Sequence, residues 1–137
     1  MGDNYDRWFD VRVASFEACI AKHGLKYSAR NRGYVDPGWV PIVDKLITEL
    51  LALGWDGDLH QVKEKFGGLR FYVGAATPEM IKLIHAAEVE TFTICEGCGK
   101  PGVQRTGGWI KTLCDRCDAS RKAVYYISTL DKTPDKI

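Results

Sequence analysis

Two cysteine pairs, Cys95-Glu-Gly-Cys98 and Cys114-Asp-Arg-Cys117, stand fifteen residues apart, and nothing else in the chain restricts its folding as tightly. A two-residue gap lets both sulfurs of a pair reach one ion from a tight knuckle, and two such pairs complete a tetrahedral four-thiolate site. Disulfides, inert core thiols and iron-sulfur ligation are the competing uses. Met1 is followed at once by Asp3, Asp6 and Asp10, not by a basic start and an apolar run, so no signal peptide is expected and the chain reads as cytoplasmic. In a reducing compartment this spacing points to zinc on Cys95, Cys98, Cys114 and Cys117. Four sulfurs close the coordination shell, so the zinc is expected to be structural. The fifth cysteine, Cys19, falls on a helical apolar face and reads as a small core residue.

The segments around the pairs suit such a site. Gly97 and Gly99 bracket Cys98, which lets the backbone fold closely around a sulfur. Gly102 to Leu113 is long enough for a hairpin turning at Thr106-Gly107-Gly108. After Cys117 a helix is expected, opened by Asp118 and Ala119 and continued by Val124, Ile127 and Leu130. Its positive end would face the thiolates. Knuckle, hairpin and helix together resemble a treble-clef zinc finger, and the run CEGCGKPG is similar to the fingers of small bacterial and phage transcription regulators of the DksA/TraR type.

Upstream, apolar spacing predicts helices at both ends of the body. Phe9, Val13, Phe16 and Ile20, widened by Val11 and Cys19, predict a helix over 4–22. Residues 24–36 lack periodicity and read as a loop. A second helix should start near Trp39, after Asp36-Pro37, with Trp39, Val43, Leu46, Leu50 and Leu53 buried and Gly54 at its stop. The period then changes. Residues 58–73 read as two strands joined at Gly67-Gly68, a pairing in which Phe66 meets Leu69, Glu64 meets Phe71 and Val62 meets Val73. Thr77-Pro78-Glu79 caps a third helix with Ile81, Ile84, Ala87 or Glu88, and Thr91 on one face, and this helix feeds into Cys95.

The expected fold class is α+β: helices plus a β-hairpin, with a C-terminal four-cysteine, treble-clef-like zinc finger. Residues 1–137 form one domain, with a helix-helix-hairpin-helix body over 1–91, a finger over 92–130 docked on the third helix, and a flexible tail over 131–137. A content of 45% apolar and 27% charged residues fits a soluble globular chain, and no apolar run reaches membrane-spanning length. A net charge of +1 excludes coating nucleic acid or membranes by bulk charge, so any such binding must be local.

Several residues then become candidates for contact with a partner. Lys63, Lys65, Arg70 and Tyr72 share the outer hairpin face, as a strip for phosphate or an acidic protein or as plain solvated charges. Arg105, Trp109 and Arg116 mark a second surface on the finger, where Lys100, Lys111, Arg121 and Lys122 also lie. Glu64, on the apolar hairpin face, needs a donor, and Arg30 or Arg32 could supply one; catalysis is its sharper reading. His23, His60 and His85 show no partner at ligand spacing. A nuclease would need Glu64 or its neighbours to share a metal with Asp56 or Asp58.

The segment QVKEKFGGLRFY at 61–72, followed by a helix, CEGCGKPG, Gly108-Trp109 and TLCDRC, resembles a family of short uncharacterised proteins of bacteriophages, prophages and bacteria. That resemblance runs from about Gly38 to Cys117 and implies life in a host bacterial cytoplasm. The leading expectation is a non-enzymatic, zinc-stabilised interaction protein, derived from a phage, that binds and modulates or inhibits a host macromolecular complex, either a defence system or the transcription machinery. A nucleic-acid-binding zinc-finger protein is the alternative, and a metal-dependent nuclease the third. No catalytic residue is assigned.

Overall fold

A computed structural model describes residues 2–131, with side chains over 10–123. The element order is α1 (Gly2–Lys22), a single turn α2 (Ala29–Arg32), a 3-10 turn (Pro37–Trp39) running into α3 (Val40–Ala52), β1 (Leu59–Lys65), β2 (Gly68–Val73), α4 (Pro78–Thr91), β3 (Val103–Arg105), β4 (Lys111–Leu113) and α5 (Asp115–Asp131). The class is α+β, with two small antiparallel hairpins and the four cysteines together in the C-terminal region. Among the described residues no helix is long and apolar enough to cross a membrane. The expected 131–137 tail, apart from Asp131 at the end of α5, and the side chains of Phe9, Val124, Ile127 and Leu130 lie outside the described residues.

One core joins α1, the 3-10 turn, α3, the first hairpin and α4, around the fully buried Phe16, Trp39, Val43, Ile47, Leu50, Val62 and Leu69. Three residues expected on the buried faces of the helices fall outside it. Val11 is exposed because it lies two residues before Val13, on the far side of a helix whose stripe runs at three- and four-residue steps. Leu53 is exposed because α3 has ended at Ala52, and Ile47 fills the face instead. Ile81 is exposed because the buried stripe of α4 is Met80, Ile84, Ala87 and Thr91, stepping by four, three and four. The expected cap is present: Thr77 accepts a hydrogen bond from the Met80 amide at the start of α4.

The first hairpin corrects the expected register. Lys65 pairs with Gly68, Glu64 with Leu69, Lys63 with Arg70 and Val62 with Phe71, so the two-residue turn is Phe66-Gly67 and not Gly67-Gly68. Both turn residues have positive φ, 55° and 81°, as a type I′ turn requires. Gly68 is instead a packing glycine, because a Cβ there would come within 2.4 Å of Cζ in the Phe92 ring. Moving the turn by one residue slips the pairing by two, which preserves the faces. Val62, Leu69 and Phe71 are therefore buried with Glu64 beside them, and Lys63, Lys65, Arg70 and Tyr72 lie on the other face.

Side chains satisfy both outer edges of this two-stranded sheet. The Leu69 and Phe71 amides donate to Thr91 Oγ1 and Glu88 Oε2 of α4, both at 3.0 Å. On the opposite edge the Val62 amide donates to Tyr27 Oη at 2.8 Å, and Arg32 donates to the Leu59 carbonyl. An edge closed in this way is a poor template for pairing with another chain.

The finger is expected to dock on α4; among the described residues its hydrogen bonds to the body, beyond the adjoining end of α4, go to the 3-10 turn before α3 and to the hairpin turn. Gly38 donates to the Glu96 carbonyl at 2.7 Å and the Trp39 indole to the Ile94 carbonyl at 2.8 Å. A Cβ on Gly38 would lie 2.2 Å from the Cys95 carbonyl oxygen, so only glycine lets the two backbones approach this closely. Thr112 Oγ1 donates to the Gly67 carbonyl at 2.6 Å, and Gln104 to the Phe66 carbonyl at 3.0 Å.

Candidate metal centre and the surface beside it

The four sulfurs of Cys95, Cys98, Cys114 and Cys117 all lie within 4.8 Å of one another, and none is in a disulfide. Each pair owes its position to a different device. Cys95 and Cys98 sit on a knuckle closed by the Cys95 amide on the Lys100 carbonyl at 2.7 Å and the Gly99 amide on the Cys95 carbonyl at 2.9 Å. Cys114 immediately precedes α5, and Cys117 lies in its first turn. The knuckle must pass close to the second pair: a Cβ on Gly97 would lie 3.0 Å from Cys117 Sγ.

These distances fit a metal ion. Bonds of about 2.3 Å to tetrahedral sulfurs separate the sulfurs by about 3.8 Å, and Cys98 and Cys114 are 3.7 Å apart. The four cysteines are thus positioned to bind a metal ion. The Cys117 amide, 3.5 Å from Cys114 Sγ, and the neighbouring thiols bring Cys114 down to about 7. Burial, followed by hydrogen bonds to the other thiols, pushes Cys117 up to about 12. Metal ligation would displace the remaining thiol protons, so affinity should rise with pH.

Beside this centre lies a carboxylate pair shared by one lysine. Glu96 is buried; its Oε2 accepts from the Thr112 amide at 2.9 Å and its Oε1 faces Lys111 Nζ at 3.1 Å. Burial raises the Glu96 pKa, against the opposing pull of Lys111. The same ammonium is 3.7 Å from Glu64, whose other oxygen accepts from the Gly67 amide at 2.7 Å. Glu64 therefore finds Lys111 and its own turn, not Arg30 or Arg32; Arg30 lies 3.6 Å from Asp10, and Arg32 holds the Leu59 carbonyl. The expected pairing failed because it looked only at the nearby loop, whereas Lys111 arrives from the finger, 47 residues downstream of Glu64 in the sequence.

Much of the finger's positive charge is engaged inside it. Arg105 donates to the Leu113 carbonyl from Nε and Nη2, and pairs with Asp115 at 2.9 Å and Asp118 at 3.7 Å. Buried Asp118 also has Lys122 at 3.1 Å and Arg121 at 3.7 Å. Arg116 and Lys100 are exposed. On the hairpin, Lys63 Nζ lies 5.8 Å above the Tyr72 ring, so these two candidates do sit together; Arg70 is half-buried and donates to the Leu69 carbonyl.

Trp109 connects the two expected surfaces. It is 76% exposed, and with Phe66, 59% exposed, it lines a groove of about 310 Å³ that also includes Glu64, Lys65 and Ile110. On its other side a cleft of about 410 Å³ runs past Lys63, Lys111, Glu64 and Glu96 to Tyr34 and the ion-paired Arg12 and Asp36. No protein-family model, curated protein or solved structure matches this chain.

Sequence reasoning missed Phe66, which it placed on the apolar face, and it missed the surroundings of His23. Among the described residues the groups able to hold a metal ion are the four cysteines and a second set, Cys19, His23 and Asp44. Asp56, Asp58 and Glu64, the carboxylates a nuclease would need, belong to neither. Asp44 Oδ1 lies 2.6 Å from His23 Nε2 and 3.9 Å from Cys19 Sγ. Cys19 is buried as expected, and burial pushes its thiol up to about 11. The signal for its partnership with His23 was their spacing of four across the C-terminal end of α1.

Proposed function

We propose that the chain is a non-enzymatic, zinc-stabilised interaction protein whose finger and hairpin tip together present an aromatic and basic face to a macromolecular partner. Zinc suits four thiolates in a closed tetrahedral shell, where the metal stabilises folding and leaves no position for substrate. Phe66 carries the reading of the surface. A bulky side chain at φ 55° is strained in a position where Asn or Asp would be relaxed, and it contributes little to the core because it is mostly exposed. Local rules are broken mainly at functional or strained sites, which supports a role for this side chain outside the core. Trp109 stands across the groove and Lys65 Nζ lies 5.8 Å above the Phe66 ring, which suits an acidic partner surface with an apolar centre.

The resemblance to phage and prophage proteins, together with this arrangement, supports inhibition or modulation of a host complex by occlusion. Nucleic acid is the less favoured partner, because Arg105, Arg121 and Lys122 converge on Asp118 instead of forming an open phosphate-binding strip. The test compares wild type with the double variant Phe66→Asn, Trp109→Ala in affinity capture from nuclease-treated host lysate, followed by binding to the purified captured protein. Asn relaxes the turn, so the variant should keep its metal and melt within about 1 kcal/mol of wild type. It should lose at least about tenfold in affinity for the partner, as removal of aromatic anchors does. Unchanged affinity would refute the proposed surface, and salt-dependent binding of bare nucleic acid by wild type would favour the alternative.

A further inference from the structure

A second group of potential ligands is separate from the four-cysteine centre. Cys19 lies in the last turn of α1 and His23 directly follows its end at Lys22; the His23 amide donates to the Cys19 carbonyl at 3.3 Å, so this last bond carries the four-residue helical spacing one residue past the helix. Packing of α1 against α3 brings Asp44 to them. The thiol sulfur, an imidazole nitrogen and a carboxylate oxygen then all lie within 4.8 Å of one another.

We propose that Cys19, His23 and Asp44 form a second metal site, for a divalent cation of the zinc, cobalt or nickel class. A thiolate and an imidazole select such borderline ions over magnesium and calcium, which prefer oxygen donors throughout. A tetrahedral ion with bonds of about 2.0–2.3 Å holds its donors about 3.3–3.8 Å apart. The Cys19–Asp44 separation of 3.9 Å must close slightly to reach this spacing, and the 2.6 Å between His23 and Asp44 must open by about 0.7 Å. Cys19 forms the buried floor, while the His23 and Asp44 side chains are 13% and 33% exposed, so the site opens on one side only. Three protein ligands leave a fourth position for water or an exogenous donor, unlike the closed cysteine centre. On ligation Cys19 gives its proton to solvent.

Without a metal the same three groups form a staple in which His23 and, more weakly, the Cys19 thiol both meet Asp44 Oδ1, so the donors a cation would need are already gathered at one point. Lys22 also contacts that carboxylate, with Nζ 2.8 Å from Asp44 Oδ1. Its side chain is 61% exposed, so the ammonium is a displaceable occupant that competes with a cation.

The experiment uses the full chain with its first site filled by one equivalent of zinc, titrated with cobalt(II) and followed by absorbance. A second equivalent should bind with the charge-transfer band of a single thiolate. His23→Ala and Asp44→Asn should each weaken it by about tenfold or more while the first equivalent stays bound. Lys22→Gln should strengthen it several-fold, more so at low ionic strength. Wild type that stops at one equivalent, or a second equivalent indifferent to His23→Ala, overturns the proposal. If the ligand variants do not fold, Lys22→Gln decides: tighter binding supports the site and unchanged binding overturns it.

Discussion

Glu96 shows how a single residue links the metal centre to the rest of the surface. It follows the first ligand, Cys95, directly, and its carboxylate is held by the Thr112 amide and by Lys111, which also reaches Glu64. Burial outweighs those partners and raises its pKa above the ordinary 4.5. A carboxyl whose pKa is raised on folding binds its proton more tightly in the folded state, so its contribution to stability is full below 4.5 and is lost as pH rises through the raised value. In Glu96→Gln that dependence disappears. With saturating zinc, the stability of wild type relative to Glu96→Gln should therefore grow as pH falls from neutrality toward 4.5. Denaturant unfolding of both proteins across this range measures it, and a constant or reversed difference would show that Lys111 and not burial governs the group.

Individual elements were legible in the sequence wherever one local rule decided them. The helix cap at Thr77, the Trp39–Leu50 face and the four ligands follow from a hydroxyl before a proline, a repeat of three and four, and a paired spacing. What the sequence could not disclose were choices made by distant neighbours. Gly67-Gly68 offers two glycines for one turn, and Phe92, from beyond α4, decides that Gly68 is needed for packing. The Glu64 partner was misplaced for the same reason, since Lys111 comes from the second hairpin.

The elements also differ in what holds them. The buried core draws its members from Val13 to Ala87 among the described residues, so it ends before the first ligand. The strands of the finger have three residues each, too short to be stable alone. Removing metal should therefore release β3, β4 and the start of α5 while α3, α4 and the first hairpin stay folded. Amide hydrogen exchange after chelation should show protection lost at Thr112 and Asp118 and kept at Leu50, Leu69 and Phe71. Uniform loss through the body would mean that the finger and core fold as one unit.

At the scale of the whole molecule, an apolar body and a four-cysteine finger meet along Gly38, Trp39, Gly67 and Thr112, and that junction places Trp109 opposite Phe66. The proposed contact face thus depends on both parts: the turn supplies one aromatic, and a metal on the four cysteines would fix the loop that supplies the other. Occupancy of the four-cysteine centre is the claim on which this arrangement rests. Cobalt(II) added to the reduced, metal-free chain tests it most directly. The first equivalent should give the intense sulfur-to-cobalt charge transfer and tetrahedral visible bands of four thiolates, be displaced by zinc, and lose that signature in Cys98→Ser but not in Cys19→Ser. A first equivalent without tetrathiolate bands, or one equally affected by both substitutions, would contradict the account.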